Sequence, residues 1–466
     1  MTGDYGTADE GTAVDMTEGP SADDAVSDTA VPGNALASEN GAEPEREVID
    51  LTEPREGLPP VITDEADLAD AVGRLAAGTG PIAVDAERAS GYRYGQRAYL
   101  VQLRRADAGT VLIDPIACPD LSGLDAAMAE VEAVFHAASQ DLPCLAEIGY
   151  RPRRLFDTEL AGRLLGYPRV ALGTMLEEVL GYRLAKEHSA ADWSIRPLTQ
   201  EMLRYAALDV EILTDLRDAL AVQLREQGKE EWARQEFAAV AAAPTPAPRP
   251  DPWRRTSHIH KVRTRRALAA VRELWQARDA IAREADLSPR RVLSDQAIIE
   301  AARTLPVSRP QLDAIGGFTA RHARRHGPEW MAAVRRARVL SDEELPEVTG
   351  GPSAGPPPPN RWSERHPEAA ARLAAARAAV KAIAEDHGLP AENLVPPDAV
   401  RRVSWEPPEP ATADAVADEL SRLGARPWQA ELTAGPIAHG FASAATADQR
   451  TDTVVGKSPD RKDEPA

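Results

Sequence analysis

Between residues 61 and 225 the apolar positions switch between two periods. Leu68, Val72 and Leu75 recur at helical spacing, whereas the runs at 81–87, 99–105 and 109–115 are short, apolar and bounded by glycine or polar residues, as strands are. A polar turn at Ala106 to Gly109 joins the second run to the third. The pattern then alternates, with a helix at about 121–130, a strand at 132–137, a helix at 141–148 and a strand near 153–157. Three antiparallel strands followed by an alternating half predict an α/β mixed sheet. Leu172 to Leu180 and Thr199 to Leu224 read as helices that return to it.

Beyond this region every periodic segment is helical. Leu268, Val271, Leu274, Trp275 and Ile281 lie on one helical face, Leu287-Ser-Pro289 breaks it, and shorter helices follow at Asp295 to Ala302 and Arg309 to Ile315. Ala382 to Val395 echoes Ala280 to Leu293 at an offset of 102 residues, so a second helical module of the same kind is expected. With the proline-rich breaks, the chain divides into an acidic disordered segment (1–60), the α/β domain (61–237), a linker (238–252), a helical domain (253–341), a Pro/Gly-rich linker (342–360), a second helical domain (361–440) and a disordered polar tail (441–466).

Charge changes this picture. A formal net charge of -20 argues against a nucleic-acid partner when taken whole, but it is segregated. Residues 1–60 hold 15 Asp/Glu and 2 Arg, in a segment too poor in large apolar side chains to offset the entropy of ordering. Residues 253–340 hold 19 Lys/Arg against 8 Asp/Glu, which suits sequence-independent, salt-sensitive contact with a phosphate backbone. The start lacks the basic and apolar parts of a signal peptide, and no apolar run nears the roughly 20 residues that span a bilayer. Cys118 and Cys144 have no zinc-site spacing and fit a reducing compartment. A soluble, cytoplasmic monomer with no membrane partner is expected.

The candidate chemistry lies in three places. Pro81-Ile-Ala-Val-Asp-Ala-Glu87 ends in two carboxylates one residue apart, so on a strand Asp85 and Glu87 face the same way. His136-Ala-Ala-Ser-Gln-Asp141 follows an apolar run and delivers Asp141 where a strand hands over to a helix. Tyr205-Ala-Ala-Leu-Asp209 puts a phenol and a carboxylate one helical turn apart. Like charges so close are stable mainly around a divalent cation, and this number of hard oxygen ligands suits Mg²⁺ or Mn²⁺ over zinc.

The order D-x-E, D, Y-x-x-x-D resembles the tyrosine subclass of the DEDD 3'-to-5' exonucleases, and the surrounding residues resemble ribonuclease D. Supporting phrases are Tyr99-Leu-Val-Gln-Leu103, Leu112-Ile-Asp-Pro115, Phe156-Asp-Thr-Glu159 and Asp192-Trp-Ser-Ile-Arg-Pro-Leu198. The chain departs from the family beside the first motif, with Ala86 where Thr is usual and Arg88-Ala-Ser-Gly-Tyr-Arg-Tyr94 where an apolar residue follows. The resemblance implies a ribonuclease-H-like sheet followed by one or two helical HRDC-type domains, the module shared by RecQ-type helicases and ribonuclease D. It implies two divalent cations, Mg²⁺ or Mn²⁺, held by Asp85, Glu87, Asp141 and Asp209. Asp85 would bridge both, Glu87 and Asp209 would serve the nucleophile side and Asp141 the leaving-group side, with Tyr205 orienting water. The expected substrate is RNA with a free 3' end, such as a transfer RNA precursor or other structured RNA, releasing nucleoside 5'-monophosphates. DNA as substrate, and a scaffold with a decayed site, remain open as alternatives. Expected substrate contacts are Lys186, Trp193 and Arg196 before the last motif, although Trp193 also reads as a core residue, and Arg263, Arg265, Arg266, Arg321, Arg324 and Arg325 in the first helical domain.

Overall fold

The computed structural model describes residues 48–184, 191–244, 249–348 and 355–455, with side chains as far as residue 446. Its strands are β1 (Ile49–Leu51), β2 (Val61–Ile62), β3 (Thr79–Arg88), β4 (Ala98–Ala106), β5 (Gly109–Ile113), β6 (Ala133–Phe135), β7 (Leu155–Asp157) and β8 (Tyr182–Leu184). Six of them form one mixed sheet in the order β2-β5-β4-β3-β6-β7. β3, β4 and β5 are antiparallel neighbours, while β6 and β7 continue the sheet in parallel from β3. The central β3 is covered on both faces, so Ile82, Ala83 and Val84 are fully buried and read as one apolar run. The edge strand β2 is two residues long and carries no period from which it could be read.

The bounds of the two end segments differ from expectation. The segment expected to be disordered through residue 60 is ordered at β1, which pairs in parallel with β8. Its acids find partners there: Asp50 with Arg183, Glu53 with Arg204 and Glu56 with Arg104. Those arginines come from as much as 151 residues downstream, from Glu53 to Arg204, so local composition could not reveal them. Residues 441–455 of the expected tail likewise continue the helix Pro427–Val455, and Phe441 is buried. Residues 1–47 and 456–466 lie outside the described residues.

The linkers are shorter than expected as well. The helix Glu230–Ala241 runs into the first, and Trp253 just beyond it is buried in the helical core that follows. Leu345, at the start of the second, packs on that same core. Three helices, Arg265–Glu284, Pro289–Val292 and Asp295–Thr304, recur 102 residues later as Pro367–Asp386, Ala391–Leu394 and Pro397–Trp405. The first set has a core of its own around Leu274, Ile298, Phe318 and Trp330. The second shares one continuous core with the nuclease sheet. Trp232 stacks on Trp428 at 4.7 Å, and the buried Lys229 Nζ donates to Leu164 O and His387 O. Among the described residues no helix is long and apolar enough to cross a membrane.

Candidate active site

β3 carries Asp85 and Glu87 on one face, and the helix Gln200–Glu211 brings Asp209 to the same place. Each of the three offers an oxygen within 4.8 Å of the others. The helix is started by Thr199, whose side chain accepts from Met202 N, and Tyr205 lies one turn before Asp209. Asp141 sits between a short 3₁₀ turn and the helix Leu142–Glu147, and is buried. All four carboxylates and Tyr205 line one cavity of 940 Å³, which also reaches Arg169 and Arg183.

The cavity is electrostatically incomplete. Burial pushes the Asp85 carboxyl up to about 6. Burial, then the charges of Asp85, Asp209 and Asp141, push Glu87 up to about 10. Asp141 and Asp209 are held well above the carboxylate range, first by burial and then by Asp85. Among the described residues the cation paired with these acids is Arg88, with Nη2 3.6 Å from Asp141 Oδ1. That one ion pair does not balance four buried carboxylates, so ionising them together needs positive charge placed among them. Gln102 adds a second sign: it is the cross-strand partner of Asp85, fully buried, with neither end of its amide hydrogen-bonded. An all-oxygen set of acids beside an unpaired amide fits hard divalent cations with their water.

The phenol of Tyr205 is pushed up, first by burial and then by Asp209, Glu87 and Asp85. It therefore stays protonated, consistent with an orienting role and not with that of a base. His136 lines the cavity, but burial lowers it to about 4; it stays neutral and bonds Thr158 Oγ1 at 2.9 Å.

One residue of the site escaped the sequence reading. Asp157, at the end of β7, accepts from Ala137 N and Ala138 N and also caps the next helix through Glu159 N and Leu160 N. Its two oxygens thus fix the turn that presents Asp141, in which Ala137 takes a left-handed φ of 63°. The phrase Phe156-Asp-Thr-Glu159 contained the signal, as an N-cap aspartate after an apolar strand.

Several expected substrate contacts are corrected. Trp193 is fully buried in a cluster with Tyr99, Leu203 and Tyr205, so it is core. Arg196 grips both oxygens of Asp114 at 2.6 and 2.8 Å and donates to Tyr99 O, Trp193 O and Ile195 O, leaving little for phosphate. Arg265 donates to Leu345 O, and Arg266 to Leu340 O, tying down the end of the first helical domain. Arg263, Arg321, Arg324 and Arg325 are exposed. Lys186 lies outside the described residues.

The 3'-5' exonuclease family matches residues 59–225, the HRDC domain residues 267–334, and the 3' to 5' exonuclease C-terminal domain residues 355–441. A mixed sheet with acids gathered at its central strand, followed by an HRDC domain, defines a divalent-metal-dependent 3'-to-5' exonuclease. The ribonuclease D of Acidiphilium cryptum (strain JF-5) is 31% identical over 287 residues, covering 59% of this chain and 72% of that one. The chain belongs to the ribonuclease D family. A crystal structure of a protein from Bifidobacterium adolescentis superposes with a TM-score of 0.77 at 39% identity, covering 85% of this chain and 100% of that one. Escherichia coli RNase D, described as an exoribonuclease involved in structured RNA processing, gives a TM-score of 0.59 at 27% identity, covering 78% and 98%. The repeated module expected as a second HRDC-type domain is the part matched by the exonuclease C-terminal domain family.

Proposed function

We propose that the chain's 3'-to-5' exoribonuclease activity acts in the cytoplasm on the 3' ends of structured RNAs such as transfer RNA precursors, releasing nucleoside 5'-monophosphates one at a time. The observation that carries this reading is the convergence of Asp85, Glu87 and Asp209 within 4.8 Å, beside Tyr205 in a cavity that also holds Asp141. Asp85, Glu87, Asp141 and Asp209 would hold two divalent cations, Mg²⁺ or Mn²⁺. When bound, these supply Lewis-acid stabilisation of the charge on the phosphate and the departing 3' oxygen and make water nucleophilic.

The chain's own residues do the positioning. In this reading Asp85 would help hold both cations, Glu87 and Asp209 would serve the side of the attacking water, and Asp141 the side of the leaving group. Tyr205, held as a neutral phenol, hydrogen-bonds the water and aims it along the line of the scissile bond. Arg88 offsets part of the charge on Asp141. The exposed Arg263, Arg321, Arg324 and Arg325 of the HRDC domain hold the RNA body through its phosphates, so RNA with a free 3' end is the partner of a chain acting as a monomer.

Product analysis tests this. A transfer RNA carrying a 3' tail and a single-stranded DNA are incubated with Mg²⁺, Mn²⁺ or EDTA, beside Asp85→Asn. Metal-dependent release of nucleoside 5'-monophosphates from the RNA, abolished in the variant, is the expected result. Release from DNA alone, or from neither polymer, would overturn the proposal.

A further inference from the structure

The chain leaves the site through a loop that belongs to two domains at once. Arg88-Ala-Ser-Gly-Tyr-Arg-Tyr-Gly-Gln-Arg97 follows Glu87 without a break and joins β3 to β4. Its two tyrosines, two residues apart, pack in different cores. Tyr92 packs against the nuclease cluster that contains Trp193 and Tyr205. Tyr94 packs against the core of the HRDC domain.

Polar contacts close the same junction. The Tyr94 hydroxyl donates to Asp279 Oδ1 at 2.9 Å and accepts from Arg283 Nη2 at 3.1 Å. Ser288 N donates to Tyr92 O at 3.0 Å. Arg291 Nε donates to Gly91 O at 2.8 Å, and its guanidinium lies 4.0 Å from the centre of the Tyr92 ring. Arg93 reaches both ways: Nε donates to Ser194 Oγ, in the connection before the helix of Tyr205 and Asp209, and Nη1 lies 3.8 Å from Asp286 of the HRDC domain. Any one exposed pair here contributes little. Two tyrosines anchored in separate cores, with backbone carbonyls bonded across the junction, hold the two bodies in one orientation.

We infer that this loop is a latch that fixes the HRDC domain beside the acid cluster, so that RNA held on the domain's exposed arginines offers its 3' end at Glu87. The inference rests on the proposed function and adds positioning residues to it: Tyr92, Arg93 and Tyr94 on the nuclease side, Asp279 and Arg291 on the other. They discriminate between substrates. A short oligonucleotide fills the cavity without touching the HRDC domain and is indifferent to the latch. A structured RNA engages both bodies, and its second contact is effective only while their spacing is held.

The test uses the full chain with Tyr94→Ala, Tyr94→Phe and Asp279→Asn. The specificity constant kcat/KM is measured on a pentaribonucleotide and on a 3'-tailed transfer RNA at matched salt. For Tyr94→Ala the tailed RNA should lose about tenfold or more while the pentanucleotide stays within about twofold of wild type. Tyr94→Phe keeps the packing and loses the hydroxyl bonds, and Asp279→Asn weakens the same junction from the HRDC side; both should fall between. Should Tyr94→Ala not fold, the comparison is read from the other two. Equal losses on both substrates, or no loss on either, would overturn the latch. A wild-type enzyme that releases nucleotides from neither RNA would instead overturn the function on which it rests.

Discussion

Glu87 and Asp85 sit one residue apart on a central strand, where burial favours the protonated form of both and the charges of Asp85, Asp209 and Asp141 add to it for Glu87. A carboxyl with a raised folded-state pKa binds its proton more tightly folded than unfolded. The stability it contributes is whole below the unfolded value of about 4 and is lost as pH rises. For Asp85 the loss runs through about 6, and for Glu87 it continues toward about 10. In EDTA the melting temperature should therefore fall as the buffer is raised across this window, less so in Asp85→Asn, and saturating Mn²⁺ should restore it. A melting temperature that climbs across the window would contradict the charge balance drawn here. Tyr205→Phe keeps the ring, 6.3 Å from that of Trp193, and removes the hydroxyl that faces Asp209. It should lower kcat by about 10- to 100-fold, as outer-shell partners do, with Mn²⁺ affinity by calorimetry nearly unchanged. Arg196 and Trp193 teach the opposite lesson. Both are residue types that nucleic-acid sites use, yet Asp114 takes up the first and the core encloses the second.

At the scale of elements, the site depends on how short segments are stopped and turned. β7 ends at Asp157, and that carboxylate both begins the next helix and clamps the turn before Asp141. Asp157→Ala should cost about 2–4 kcal/mol in urea unfolding, combining a lost helix cap with two buried amides left unpaired. It should also weaken divalent-cation binding, since Asp141 loses its mount; unchanged affinity would limit Asp157 to stability alone. β1 shows a strand that exists only by virtue of its partner. Ile49 and Asp50 are exposed, and the segment is ordered through its pairing with β8 and through ion pairs to the nuclease surface. The helical repeat is the opposite case, because a period written into the chain reappears as helices with the same spacing.

For the whole molecule, the two helical modules are used differently. The second shares its core with the nuclease, and the contact is close: a Cβ on Gly166, whose φ is +85°, would stand 2.1 Å from Gly388 O. Gly166→Ala should therefore cost more than the roughly 1–2 kcal/mol of a left-handed conformation alone. The expected sign is a separate early unfolding transition as the second module undocks; one unshifted cooperative transition would argue that this contact carries no load. The HRDC domain keeps its own core and exposes Arg321, Arg324 and Arg325. Replacing all three with Ala should flatten the log–log salt dependence of RNA binding by about two units, counting about 0.7 for each single-strand phosphate contact. An unchanged slope would place the RNA elsewhere. The sequence by itself determined the alternation of strands and helices, the helical repeat and the pairing of Asp85 with Glu87 and of Tyr205 with Asp209 in one cavity, because each is written in short-range spacing: D-x-E on a strand, Y-x-x-x-D on a helix. The tertiary structure alone decided that Asp114 captures Arg196, that residues 49–56 are held by distant arginines, that Asp157 serves Asp141, and that Tyr92 and Tyr94 pack in different domains. In each of these the partner is far away in the chain or lies across a domain boundary, and no local period records where the fold will bring it.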